Sequence, residues 1–181
     1  PYAGIRDAQE SRGLGDVYKR QIGCSIQGIR PLMIEVQALV SSAVYGTPQR
    51  SATGFNSKRL NMILAILEKR AGIQIGSKDV FLNITGGINI ADPSIDLAVI
   101  SSIISSLEII PIDRNTCFAG EIGLSGELRG ISKLSQRLSE AKKLGFNLFI
   151  TSNSNVSDLN KSMIGIKKLD QIEDLIQLLF R

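Results

Sequence analysis

The chain has 181 residues, 43% of them hydrophobic, with a formal net charge of +4, two cysteines and no histidine. That length and apolar fraction suffice for one domain with its own core, and the lack of histidine removes Ser-His-Asp and Cys-His nucleophile systems together with the usual zinc-hydrolase ligand sets. There is no long uncharged apolar run to span a membrane, Cys24 and Cys117 read as buried thiols rather than a disulfide framework or zinc site, and the positive excess is only a weak pointer to a polyanionic partner.

Residues 1–21 carry neither a two-residue nor a 3.6-residue apolar period. They are expected to lie outside the fold as a non-native or disordered leader, GLGDVYKRQ having the look of translated adapter sequence, which leaves 22–181 as the domain. Alternation across Leu32–Val40 predicts a strand, paired with Gly23–Gly28, and Tyr45–Gln49 reads as a turn. After the short basic segment QRSATGF, Asn56 or Ser57 caps a helix that places Leu60, Ile63, Leu64, Leu67 and Ala71 on one face and Lys58, Arg59, Lys69 and Arg70 outside it; Gly72 ends it. Asp79–Ile84 is a further strand, followed by a Gly86-Gly87 turn.

The stretch Ala91–Leu107 follows. Asp92-Pro93 is a helix start, because Asp accepts the unpaired amides of the first turn and Pro has no amide to lose. Apolar residues then cover nearly the whole circumference, the mark of a buried central helix. Beyond it come a strand at Thr116–Gly120, a hairpin across Gly120–Arg129, a helix carrying Ile131, Leu134, Leu138 and Ala141, strands at Leu148–Thr151 and Ile164–Leu169, and a last helix capped by Asp170. Strands and helices are interspersed, some strands being too close for helical crossovers, so the class is α+β with a mixed sheet and packed helices.

Ser94 sits in the first turn of the central helix, where backbone amides and the helix dipole could stabilise an anion, although Ser is also an ordinary first-turn residue. Asp92-Pro93-Ser94, with the later Gly120-Glu-Ile-Gly-Leu-Ser-Gly126, resembles the proteolytic domain of Lon, in which a Ser-Lys dyad works. The resemblance puts Ser94 at the nucleophile position, Asp92 and Asp96 where Lon has glycines, and Ser135 where Lon has the Lys. Lys133, two residues back along a helix, would point away, since that step turns a side chain by roughly 200°. A Ser hydroxyl without a base is a weak nucleophile, so the expectation is no catalytic residue.

A more extensive resemblance covers nearly all of Ile22–Arg181. Gly28-Ile-Arg-Pro-Leu-Met-Ile-Glu-Val-Gln-Ala-Leu-Val40, Ala52–Leu60, Leu67–Gly72 and Gly120–Gly145 are similar to the C-terminal Lon-like domain of the bacterial RadA (Sms) family. That resemblance implies a Lon protease-like fold and a hexameric ring. It also implies contact with single-stranded or branched DNA, work in recombinational repair and branch migration, a cytoplasmic location and no membrane partner. The zinc ribbon and RecA-like ATPase of such proteins are absent, and no G-x-x-x-x-G-K-[ST] occurs. ATP, Mg and Zn are therefore expected in N-terminal parts outside this chain, where an ATP-dependent helicase or translocase would reside, and neither cofactor nor metal within it. Arg50, Lys58 and Arg59 are the candidate DNA-binding residues. The other readings are an active Lon-type Ser peptidase and the Lon-like domain of a magnesium-chelatase-related ATPase (ComM).

Overall fold

A computed structural model describes residues 20–44, 46–155 and 164–181. The expected leader, but for Arg20 and Gln21, and Tyr45 of the expected turn lie outside the described residues. Arg20 and Gln21 belong to the first strand, so the sheet begins two residues before the expected boundary.

The strands are β1 (Arg20–Gln27), β2 (Arg30–Ser42), β3 (Arg50–Thr53), β4 (Lys78–Ile84), β5 (Thr116–Ala119), β6 (Glu121–Ile122), β7 (Leu128–Arg129), β8 (Leu148–Ser152) and β9 (Gly165–Leu169). The helices are α1 (Ser57–Lys69), α2 (Asp96–Glu108), α3 (Leu134–Lys143) and α4 (Ile172–Phe180). Seven strands form one mixed sheet in the order β3-β4-β2-β1-β5-β8-β9, with β6 and β7 as a separate small hairpin. β2 runs antiparallel to both β1 and β4, whereas β3–β4, β1–β5, β5–β8 and β8–β9 are parallel.

Alternation in β2 sends Ile34, Val36 and Ala38 to one face, where they join Val80, Leu82 and Ile84 of β4 under α1, α2 and α4. Cys24, Cys117, Ala119 and Phe149 point to the opposite face under Leu134, Leu138 and Ala141 of α3. α2 is buried on every side, its serines 101, 102, 105 and 106 included, as an element apolar all round must be. It lies close on β1 at Gly23, where a Cβ would come within 3.0 Å of the Ala98 Cβ.

The structure corrects four details. QRSATGF is not merely a basic connector: Arg50–Thr53 is an edge strand. Helix α3 starts at Leu134, after Lys133 in a left-handed conformation (φ 56). Ala71 falls beyond the end of α1. Gln171 rather than Asp170 caps α4, through a capping box with Asp174, which also takes the Asp170 amide. The box satisfies two otherwise unpaired amides at once.

Gly54 closes β3 at φ +76, and a Cβ there would sit 2.5 Å from the Ile88 carbonyl oxygen and 2.7 Å from the Ile84 Cβ. Both backbone strain and a backbone clash oppose a side chain. Gly54→Ala is therefore expected to lower unfolding stability in urea by about 2 kcal/mol or more; an unchanged midpoint would show that the loop relaxes freely.

Candidate functional site

The site is the turn that begins α2. Asp92 has extended backbone and accepts the Ser94 amide at 3.0 Å, Pro93 follows it, and a single 3₁₀ turn (Pro93–Ile95) leads into the helix. The second Asp92 carboxylate oxygen accepts the Ile26 amide at 2.8 Å, an Arg137 Nη2 hydrogen at 2.9 Å and the Ser25 hydroxyl at 3.3 Å. β1 is thus bound side-on to the turn.

Ser94 is fully buried. Its hydroxyl donates to the Cys24 carbonyl at 3.1 Å and accepts from Arg137 Nη1 at 2.7 Å. Arg137, only 1% exposed, also donates from Nη1 to the Cys24 carbonyl and from Nε to the Ser132 carbonyl at 2.9 Å. One guanidinium therefore joins α3, β1 and the turn. On the far side Asp96, fully buried, accepts Arg59 Nε at 2.7 Å, Arg59 Nη2 and the Ile122 amide at 3.1 Å; Arg59 Nη2 also reaches Glu121 at 3.4 Å. The two aspartates, found where the resemblance has glycines, each face an arginine.

The electrostatics follow from these contacts. Burial pushes the Asp92 carboxyl upward, but hydrogen bonds from Ser94 and Ile26 and the Arg137 charge outweigh it and hold the group below the usual carboxylate range. Deeper burial dominates at Asp96 and raises it, against the opposing Arg59 pair and Ile122 amide. Burial also pushes the Cys24 thiol up to about 12 and Cys117 well above its ordinary value, leaving both as inert thiols.

Ser94 occupies the expected first-turn position. Ser135, by contrast, is exposed, and the cation that meets Ser94 is Arg137. Ser135 followed from aligning the hairpin with that of Lon, and it lies within α3 on the face opposite Arg137; Lys133, read as part of the helix, is instead left-handed just before it, and its Nζ bonds the Gly28 carbonyl at 3.3 Å. Arg137 had a sequence signal: it lies three residues after Leu134 and four before Ala141, a charge set on the buried stripe of α3. A cavity of about 320 Å³ beside the turn is lined by Phe55, Asn56, Arg59, Ile90, Ala91 and Asp92. Ser94 does not border it.

Of the three DNA-binding candidates one is engaged in an ion pair and two are exposed. Arg59 is turned into Asp96; Arg50 is exposed at the entry of β3 and Lys58 is exposed in the first turn of α1, beyond its exit. Among the described residues no cluster of three or more His, Cys, Asp or Glu side chains could hold a metal, and no helix is long and apolar enough to cross a membrane.

Residues 34–155 match the family model described as subunit ChlI of Mg-chelatase, and the chain belongs to that family. Within it the chain is homologous to DNA repair protein RadA, as the RadA-like segments implied. It is 41% identical to that protein of Bacillus subtilis (strain 168) over 140 residues, 77% of this chain and 31% of the relative. With that of Rickettsia prowazekii (strain Madrid E) the identity is 47% over 137 residues, 76% of this chain and 31% of the relative. For Rickettsia felis (strain ATCC VR-1525 / URRWXCal2) it is 44% over 159 residues, 87% and 36%. The chain thus spans about a third of the length of these relatives.

Arg137→Met strands a partly buried carboxylate partner and is expected to cost about 3 kcal/mol in urea unfolding. Ser94→Ala leaves Arg137 bonded to Cys24 and should cost only about 1 kcal/mol; a reversed order of the two would refute the arrangement. Because Asp92 has a lower pKa folded than unfolded, its stabilisation is complete above the ordinary carboxylate range and is lost as pH falls through the folded value. The stability difference between the chain and Asp92→Asn should accordingly shrink on acidification, measured by urea melts across that range.

Proposed function

We propose that the chain is a non-catalytic module of Lon protease-like fold within a RadA-type ATPase, acting by self-association and DNA contact in recombinational repair and branch migration. The observation that carries the non-catalytic part is Arg137 on the Ser94 hydroxyl. Activating a serine requires a group that can take its proton, and a guanidinium stays protonated at any working pH and offers no acceptor. A Lon-type peptidase reading would need a neutral amine at that place. The magnesium-chelatase-related reading shares its family description with the matched model, but the extensive identity with RadA proteins favours the repair ATPase.

In this reading ATP, Mg and Zn belong to parts of such an ATPase that this chain does not include, and the whole protein works in the cytoplasm as a helicase or translocase. Arg50 and Lys58 contribute non-specific phosphate contacts, with Arg59 committed to the Asp96 pair. A few phosphates neutralised per copy bind weakly at physiological salt, and a hexameric ring repeating them around one strand raises the effective concentration.

Incubation with casein or a fluorogenic peptide should give no turnover above that of Ser94→Ala. Hydrolysis by the chain that Ser94→Ala abolishes would replace this reading with the peptidase.

A further inference from the structure

We propose that the tip of the β1–β2 hairpin, acting with Lys133, is a contact site for single-stranded DNA, distinct from Arg50 and Lys58; this rests on the DNA-binding reading above. Gln27 pairs with Arg30 across a two-residue loop, Gly28-Ile29, in which Gly28 takes φ 63. Glycine at the first loop position suits such a tight hairpin, and the second position faces water, where a polar residue is the ordinary choice. Here it is Ile29, 78% exposed. Arg30 beside it is exposed and has no ion-pair partner among the described residues.

Lys133 is the second cation at this tip. Its backbone is left-handed, φ 56, a conformation that costs a non-glycine residue roughly 1 kcal/mol or more and that Gly or Asn would adopt more cheaply. The Lys side chain nevertheless stands there, exposed, with Nζ bonded to the Gly28 carbonyl. The carboxylates on the elements that meet at the tip are already paired: Glu35 of β2 with Arg20, Asp92 with Arg137 and Glu140 of α3 with Lys143. Two uncompensated cations thus flank one projecting apolar group. Cations of this kind take backbone phosphates, and an aliphatic side chain gains by covering a base face, which an unpaired strand offers without the unstacking that a duplex requires. In the registers the end of β4 lies opposite Val36 and the end of β3 is level with Gln37, so the hairpin runs on past the rim where β3 and β4 end and α1 begins, and its tip is a contact separate from Lys58.

The test is titration of the isotope-labelled 181-residue chain with an oligothymidine at low salt, read by amide chemical shifts. Fluorescence anisotropy follows the chain and its exposed-residue variants. Shifts should centre on Gly28, Ile29, Arg30 and Lys133. Arg30→Gln with Lys133→Asn, the latter suited to the left-handed backbone, should weaken binding about tenfold and reduce the slope of log affinity against log salt by about 1.4. Ile29→Ser should weaken it about threefold with the slope unchanged. Shifts confined to residues around Arg50 and Lys58, with the hairpin variants binding like the parent, would remove the hairpin site and leave DNA binding standing. No shift anywhere, as expected if the tip docks on protein instead, would remove both.

Discussion

The guanidinium of Arg137, buried between α3 and the turn that opens α2, is the interaction on which the rest of the structure depends. A charge taken out of water costs several kcal/mol unless its hydrogen bonds are met. Arg137 meets them with the Asp92 carboxylate, the Ser94 hydroxyl and the carbonyls of Cys24 and Ser132. Those partners come from three elements, so β1, the turn and α3 can keep their bonds only in one mutual arrangement. The pairing of Asp96 with Arg59 does the same on the other side, drawing α1 and the β6 amide of Ile122 to the turn. α2 needs such fixing: apolar contacts surround it almost uniformly, and a uniform apolar surface does not by itself choose a rotation.

The same bonds support the proposal of a non-catalytic module. In a Ser-Lys hydrolase a serine at a helix start would need a small flanking residue, open approach and a base. Here both flanking positions carry aspartates held by arginines, the hydroxyl is sealed from water, its hydrogen goes to the Cys24 carbonyl, and the cation beside it can only donate. What remains is a rigid helix start held by its own hydrogen bonds.

Much of this was legible in the sequence wherever a local signal coincided with a tertiary one. Asp92-Pro93 announced the helix start, and the apolar run after it announced burial; the alternation of β2 announced its strand. β3 was not legible because Arg50, Ser51, Ala52 and Thr53 have no apolar alternation, and an edge strand paired in parallel gains its place from β4, a distant segment. Arg59 read as a solvent-facing charge because its helix position is polar by periodicity; only the fold brings Asp96, 37 residues on, beneath it. Arg137 was legible but passed over: it shares the buried stripe of α3 with Leu134, Leu138 and Ala141, whereas matching the hairpin residue by residue drew attention to Ser135 on the opposite face. The RadA-like segments survived these errors because extended identity does not depend on the placement of any one side chain.

The most direct measurement is a double-mutant cycle between Asp92→Asn and Arg137→Met, from urea unfolding of the chain, both single variants and the double variant. If this pair fixes the turn, the two losses are far from additive, and the coupling is about 2 kcal/mol. Coupling within about 0.5 kcal/mol of zero would mean that the two residues act independently, and the turn would then be held by apolar packing alone.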